Sequence, residues 1–257
     1  MKILVLVKEV PDTYGDRTLN LTTGLAQRDA SDKVLDEIGE RAIEAAVSFA
    51  ETHPQTEVVV LSVGPESVPT SLRKGLAMGA DRAVHVLDDR MRGADLTLTA
   101  EVLAASAHKV GFDLIVTGDL STDGVGGVIP AMLAELLGLP HLTNLTELTI
   151  GESSVRGVRD SDTGVMQISA PLPAIASITD RLPDPRFPSF KGIVAAKKKP
   201  CETLTLDDLG VDVSAEKPRS IIISLSEKPA RGAGVTIVDD GQAGQSIADF
   251  LVENRLV

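Results

Sequence analysis

The hydrophobic and polar positions of residues 1–140 follow two alternating patterns. Short, almost continuous apolar runs, typical of strands covered on both faces, occupy residues 2–8, 58–64, 83–88 and 113–119. Between these runs, apolar residues recur at helical spacing over residues 32–49, 71–79, 96–110 and about 128–138. Strands that are each separated by one helix predict parallel βαβ units with right-handed crossovers.

Beyond Pro140 the pattern changes. Three short segments alternate polar and apolar residues and are joined by turn sequences, which predicts antiparallel strands at 145–150, 153–160 and 164–170. Residues 173–179 form one more apolar run and predict another buried strand. Residues 184–257 show no helix–strand alternation, and the pattern gives them no place in the parallel sheet.

The predicted fold class is therefore α/β, with a Rossmann-like open parallel sheet flanked by helices. An antiparallel hairpin insertion and an extended C-terminal arm complete the prediction. The domain boundary is expected between residues 183 and 184. Residues 1–183 then form the α/β domain, and residues 184–257 form an arm that needs a further surface to lie on.

Composition narrows the possible function classes. Of the 257 residues, 37 are acidic and 25 are basic, and the resulting net charge of −12 has the wrong sign for a nucleic-acid partner. The only cysteine, Cys201, excludes a disulfide framework and an iron–sulfur cluster. No apolar run approaches the roughly 18–20 residues that span a bilayer. We therefore expect a cytoplasmic protein that is not embedded in a membrane.

The loop after the fourth predicted strand is the most unusual part of the sequence, Gly118–Pro130. It follows a parallel strand at the sheet edge where such folds bind ligands. Its glycines permit close backbone approach, and the helix after it offers free N–H groups to a phosphate. The loop matches neither the dinucleotide fingerprint nor a P-loop, so an ordinary glycine-rich turn is the alternative.

Other candidates for chemistry are weaker. The histidines show no ligand spacing, so we expect surface or strand-end residues and no metal site at His53, His85, His108 and His141. Neither a nucleophile elbow nor a cysteine–histidine pair is evident, so we expect no catalytic residue. Lys197, Lys198 and Lys199 are either a solvated turn or a basic cluster that guides an acidic partner.

Several motifs together resemble the β subunit of electron-transfer flavoproteins along nearly the whole chain. They are LVLVKEVPD, DEIGERAIEAAV, LSVGPES, LRKGLAMGADRAVHV, DLIVTGD with STDGVGG, VRGVRDSDTGV with PLPAIASI, and PRFPSFKGIVAAKKKP at 185–200. The resemblance implies a heterodimer with an α subunit, FAD held mostly by that partner, and AMP in this subunit. It also implies electron transfer from acyl-CoA and related dehydrogenases toward a membrane quinone reductase. Residues 1–183 would then be the nucleotide-binding domain.

The resemblance also implies which residues bind the nucleotide. They are Leu6, Val7, Asp36, Val63, Gly64, Asp123, Gly124, Val125, Gly126, Gly127, Val128 and Ile129. Two departures from the family pattern stand out. Gly127–Ile129 lack the polar side chains that many members direct at the phosphate, so backbone N–H groups would make most contacts. Asp36 stands where asparagine is common, which affects the identity of the nucleotide.

Two alternative functions stay open. A flavin-bifurcating relative would hold a second FAD in this subunit and react with NADH. The alanine–glutamine pairing associated with that type is missing from Gly124–Pro130, which favours AMP. A stand-alone adenine-nucleotide-binding protein would require the C-terminal arm to fold back on its own domain.

A docking loop is implied at Pro185–Lys199. Phe190 occupies the position of an apolar anchor, usually leucine, that enters a pocket on the client dehydrogenase. Lys197, Lys198 and Lys199 follow it and would steer that partner. The alternative is that Phe190 packs back onto its own domain.

Overall fold

The computed structural model describes residues 1–213, 220–232, 234 and 236–257. These residues form two compact units, Met1–Ile223 and Ser224–Val257. The strands of the described residues are β1 (Lys2–Leu6), β2 (Glu9–Pro11), β3 (Lys33–Leu35), β4 (Glu57–Val63), β5 (Arg82–Val86), β6 (Leu114–Gly118), β7 (His141–Leu145), β8 (Glu147–Ile150), β9 (Ser154–Ser161), β10 (Gly164–Pro171), β11 (Ala174–Ile178) and β12 (Cys201–Leu204). The helices are α1 (Glu37–Thr52), α2 (Val68–Met78), α3 (Leu96–Val110), α4 (Ile129–Leu137), α5 (Phe190–Ala196), α6 (Leu206–Leu209) and α7 (Ala243–Glu253).

The first unit contains a sheet of seven described strands in the order β12-β5-β4-β1-β6-β11-β7. Every neighbouring pair in this sheet is parallel. The chain builds outward from β1 through β4 to β5 and then returns to place β6 on the other side of β1. The order of the strands therefore reverses between β1 and β6, and the carboxyl ends of these two strands flank the switch point. The predicted α/β fold class is confirmed.

Helices cover both faces of the sheet, which explains the continuous apolar runs of its central strands. Ile3 and Val5 of β1 belong to one core with α1 and α2, whereas Leu4 and Leu6 belong to another with α3 and α4. Successive side chains of a strand point to opposite faces, so an unbroken apolar run is needed to fill both cores.

The antiparallel insertion is also confirmed. Strands β8, β9 and β10 form a separate sheet in the order β10-β9-β8, with Val155 opposite Ala170 and Ile150. The sequence pattern began the first of these strands at residue 145. The structure assigns Leu145 instead to β7, a parallel strand of the main sheet that the pattern did not predict.

The beginning of α1 differs from its predicted position. Helical spacing suggested a start at Asp32, but Lys33–Leu35 form β3, which pairs with β2 in antiparallel fashion. Asp36 is the N-cap of α1 and accepts a hydrogen bond from the N–H of Ile38. An aspartate at this position satisfies an end group that the helix itself leaves free, and it sets the first helical residue at Glu37.

The expectation that residues 184–257 have no place in the parallel sheet is wrong for Cys201–Leu204. This segment is β12 and pairs with the edge of β5, with Thr203 opposite His85. The pairing gives β5 a second neighbour, and Leu204 and Leu206 enter the core. The described part of the second unit contains α7, whose apolar Ile247 and Phe250 are each 55% exposed.

Candidate functional site

The glycine-rich loop lies at the switch point, where a parallel sheet of this kind binds ligands. It leaves β6 at Gly118 and reaches the first residue of α4, Ile129. Leu6 pairs with Thr117 in the neighbouring strand, so the end of β1 lies beside the base of the loop. Four residues at its crest are exposed, Val125, Gly126, Gly127 and Val128.

The start of α4 leaves backbone donors free. Among the described residues, the N–H groups of Gly126, Gly127, Val128 and Ile129 have no hydrogen-bond acceptor. Val128 is the N-cap of α4 and its side chain makes no capping hydrogen bond. Free N–H groups together with the positive end of a helix dipole attract an anion, as the sequence suggested.

Positive φ angles shape the crest of the loop. Val125 has φ +52° and Gly127 has φ +64°, both in the left-handed region. Val125 is held there by its N–H, which donates to the carbonyl of Ser121 at 2.8 Å. Gly127 adopts this conformation without the strain that a Cβ would bring, whereas Gly126 has an ordinary φ and a Cβ on it would meet only the side chain of Leu96, at 3.8 Å.

Asp36, at the start of α1, holds the glycine loop in place through hydrogen bonds. The residue is only 3% exposed, and both oxygens of its carboxylate accept hydrogen bonds. One oxygen caps α1, and the other accepts from the N–H of Thr122 at 2.8 Å and from its hydroxyl at 3.0 Å. Asp36 therefore fixes the loop to α1, with the negative charge directed at protein donors.

Asp123 gathers two cationic side chains that the sequence analysis missed. Lys8 Nζ and Arg28 Nη1 each lie 2.7 Å from one of its carboxylate oxygens. Burial alone would raise the pKa of Asp123, but the hydrogen bond and charge of Lys8, followed by Ser121 and Arg28, lower it to about 2. Lys8 also donates to the hydroxyl of Ser121 at 3.2 Å. A charged network thus ties the first half of the glycine loop to Lys8 and Arg28.

The remaining nucleotide-site candidates lie along neighbouring strands. Leu6 and Val7 are almost fully buried, and the N–H of Val7 donates to the carbonyl of Leu61 at 2.9 Å. Val63 and Gly64 follow at the end of β4, where a ring nitrogen of His85 lies 2.9 Å from the carbonyl of Gly64. A Cβ on Gly64 would lie 2.7 Å from the side chain of Val68, so glycine is required for the turn into α2.

Glu9 is a second buried carboxylate that the sequence did not reveal. It follows β1 and accepts hydrogen bonds from the hydroxyls of Ser67 and Ser71, the latter at 2.8 Å. Ser67 is the residue before α2. Glu9, the first residue of β2, therefore joins this strand to the start of α2.

The docking candidates lie on the segment that leads into and through α5. Phe190 is the first residue of α5 and is 83% exposed, and Phe187 is 95% exposed. Ser189 caps the helix by accepting from the N–H of Gly192 at 3.1 Å. Phe190 is thus directed away from the core of its own unit.

The three lysines differ in their surroundings. Lys197 and Lys198 are exposed, but Lys199 is half-buried, and its ammonium donates to the carbonyls of Leu76 at 3.0 Å, Gly79 at 3.2 Å and Ala80. These carbonyls lie at the end of α2, where a cation is favoured. Burial lowers the pKa of Lys199. Lys199 is therefore a capping group for α2.

Two further observations bound the chemistry of the described residues. Within the part of the chain that the structure describes, no group of three or more His, Cys, Asp and Glu side chains could hold a metal ion. No helix in the same part of the chain is long and apolar enough to cross a membrane. His85 lies next to the end of β5, as one of the two expectations for the histidines had it, but it is buried, and its ring nitrogen lies 2.9 Å from the carbonyl of Gly64 at the β4–α2 turn.

Comparison with known proteins places this geometry in a family. The electron transfer flavoprotein domain matches residues 23–209. The chain is 43% identical to the electron transfer flavoprotein subunit beta of Mycobacterium tuberculosis (strain ATCC 25618 / H37Rv) over 99% of each chain. It is 35% identical to the subunit of the same name from Bacillus subtilis (strain 168), over 91% of this chain and 90% of the relative. It is also 32% identical to the caffeyl-CoA reductase-Etf complex subunit CarD of Acetobacterium woodii over the full length of both.

Proposed function

Because the chain belongs to the β subunits of the electron transfer flavoproteins, we propose that it binds one AMP at the glycine loop within a heterodimer. The family carries electrons with a flavin, so FAD belongs to the complex and an α subunit is the partner. We propose that the α subunit holds most of the FAD and that this chain completes its site. A cytoplasmic location is part of the same proposal.

The proposal of AMP rests on one observation, the free N–H groups of Gly126–Ile129 in a loop whose Asp123 is paired with the cations Lys8 and Arg28. A phosphate dianion at this place would accept from several backbone donors and face the positive end of α4. The neighbouring carboxylates do not oppose it, because Asp36 is bonded to Thr122 and Asp123 to the two cations. The residues present therefore fit a monophosphate.

In this proposal the chain binds and positions, and no residue of it reacts. Lys8 holds Ser121 and Asp123 of the loop in place. Gly127 gives the crest of the loop the conformation that presents its N–H groups. The FAD supplies the redox chemistry when it is bound. A nucleotide at the switch point would tie β1, β6 and α4 together and so stabilise the surface that receives the α subunit.

A second candidate is a bifurcating complex with a second FAD in this subunit that reacts with NADH. The full-length match to a subunit of a caffeyl-CoA reductase-Etf complex is the observation that favours it. The higher identity to subunits named only for electron transfer supports the simpler carrier.

We further propose that the complex receives electrons from acyl-CoA and related dehydrogenases and delivers them toward a membrane quinone reductase. The exposure of Phe190 supports its role as the docking anchor, since a ring of this size is usually buried in a fold. The two exposed lysines, Lys197 and Lys198, lie at the end of the same helix and could guide an acidic partner.

One experiment separates these possibilities. The chain is co-expressed with its α partner, and the purified complex is denatured to count FAD and AMP by chromatography. We expect one FAD and one AMP per heterodimer. Two FAD and no AMP would establish the bifurcating alternative, and a complex with neither AMP nor a second FAD would overturn the assignment of the glycine loop as a nucleotide site.

A further inference from the structure

Arg186 lies at the start of the docking loop and is fixed to α1 by both its backbone and its side chain. Its backbone N–H and its Nε donate to Glu44 Oε2 at 3.0 and 2.8 Å, and Nη2 donates to Glu44 Oε1 at 2.9 Å. Two parallel hydrogen bonds between a guanidinium and a carboxylate fix the orientation of both groups as well as their separation.

Further acceptors on α1 complete this clamp. Nη2 of Arg186 also donates to Ser48 Oγ at 3.2 Å and to Glu51 Oε2 at 3.1 Å, and Nη1 donates to the other oxygen of Glu51. Residues 44, 48 and 51 follow one another on one face of the helix. The hydrogen bonds from Arg186 lower the pKa of Glu44 to about 2, so the clamp is charged throughout the neutral range.

The far end of the loop is fixed to a different helix. Lys199 donates to the last carbonyls of α2. Ala196 is buried in the core to which α2 also contributes. Gly192 lies so close to α2 that a Cβ on it would be 2.4 Å from the carbonyl of Ala77. The loop is therefore held at both ends and seated in the middle, while Phe187 and Phe190 remain exposed between the two attachments.

We propose that Arg186 is a positioning residue for docking and that it holds Phe187 and Phe190 in the orientation that a dehydrogenase binds. This inference rests on the proposed docking function. A loop that is already ordered does not lose conformational freedom when the partner binds. Without the clamp, only a fraction of the molecules would present the rings correctly, and the apparent Kd would rise by the inverse of that fraction.

The test uses the FAD-loaded heterodimer as electron acceptor for an acyl-CoA dehydrogenase. For Arg186→Gln we expect the KM of the heterodimer to rise about three- to tenfold, with kcat and FAD content unchanged, because saturation restores the docked population. Amide hydrogen exchange of residues 187–195 should become faster. Arg186→Lys keeps the charge but loses the planar guanidinium that makes two parallel hydrogen bonds. Its affinity should lie between those of Arg186→Gln and the wild type.

Arg181→Gln is the matched control, since it removes an arginine from an exposed ion pair with Asp160 that lies outside the loop. It should leave KM and exchange at their wild-type values. If Arg186→Gln proves unstable, Glu51→Gln removes the more exposed half of the clamp and should still increase loop exchange.

The outcomes separate the two proposals. Wild-type KM and wild-type loop exchange in Arg186→Gln, or unchanged loop exchange in Glu51→Gln, would overturn the positioning role. If Phe190→Ala impairs docking while Arg186→Gln does not, only the positioning role fails. If Phe190→Ala itself has the wild-type KM, the docking function of this segment fails.

Discussion

The ammonium of Lys8 lies 2.7 Å from the carboxylate of Asp123, which joins the end of β1 to a loop that follows β6. The two residues are 115 positions apart in the sequence. Arg28 reaches the same carboxylate from a third segment. One ionic network thus joins the segment after β1, the segment around Arg28 and the glycine loop that carries the free backbone donors.

The first prediction follows from the low pKa of Asp123. In the folded protein the carboxyl of Asp123 has a pKa of about 2, below the ordinary value of about 3.9. The ionised carboxylate therefore stabilises the fold fully above about pH 3.9, and this stabilisation is lost as the pH falls through about 2. Asp123→Asn should therefore lower the free energy of unfolding at pH 7 by about 2–3 kcal/mol. Urea unfolding of the heterodimer from pH 7 to pH 2 measures it. The wild-type and variant curves should converge below about pH 4. Asp160→Asn, at an exposed pair, is the control.

The second prediction compares two glycines of the loop. Gly127→Val places a β-branched residue at φ +64°, a conformation that costs about 1–2 kcal/mol for non-glycine residues, and it should abolish AMP retention. Gly126→Ala meets no such strain and should retain the nucleotide. The measurement is AMP per purified heterodimer. Equal AMP content in both variants would show that the loop conformation does not control binding.

The third prediction concerns Phe190. Truncation of an aromatic anchor at an interface costs about 2 kcal/mol or more, so Phe190→Ala should slow reduction by an acyl-CoA dehydrogenase at limiting heterodimer. FAD content and thermal stability should stay at wild-type values. Val165→Ala removes another exposed apolar side chain, 70% exposed on β10, and serves as control. An unchanged reduction rate in Phe190→Ala would contradict its role as the docking anchor.

The fourth prediction separates the roles of the three lysines at 197–199. Neutralising Lys197 and Lys198 should lower the reduction rate mainly at low ionic strength, because salt screens the attraction between exposed charges. Lys199→Met should instead lower stability, because three carbonyls at the end of α2 lose their donor. Rates across salt concentrations and thermal unfolding distinguish the two effects. A salt-dependent rate loss in Lys199→Met without loss of stability would contradict this division.

The fifth prediction concerns the second unit. The apolar face of α7 exposes Ile247 and Phe250, and Ile221–Ile223 are exposed in the first unit. In each unit, neighbouring exposed apolar residues indicate a surface that a partner covers. The double variant Ile247→Asp with Phe250→Asp should weaken the heterodimer, as measured by gel filtration at decreasing concentration. An unchanged dissociation profile would show that the α subunit does not cover α7.

The sequence predicted the central strands well and the edge strands poorly, for a physical reason. β1 and β4 fill cores on both faces and so are continuously apolar. In β7 only Leu142 and Leu145 are buried, and in β12 only Leu204 is, so neither segment carries a distinctive apolar pattern.

In the candidate site, too, residues close together in the sequence could be predicted, and residues far apart in the sequence could not. The glycine loop could be found because its signal lies within thirteen consecutive residues. Lys8 and Arg28 could not, because only the fold brings them to Asp123. Likewise, Val34 and Leu35 continue the helical spacing of α1, and only the pairing of β3 with β2 shows that the helix begins later.

The position of β12 also affects how safely the chain can fold. Until Cys201–Leu204 have been synthesised and paired, β5 presents a bare edge of N–H and C=O groups that another molecule could pair with. A chain that ends after β5 but before Cys201 would keep that edge permanently. Proteolysis at the docking loop would therefore threaten more than docking, because release of the following strand would turn the edge of the sheet into a site for aggregation.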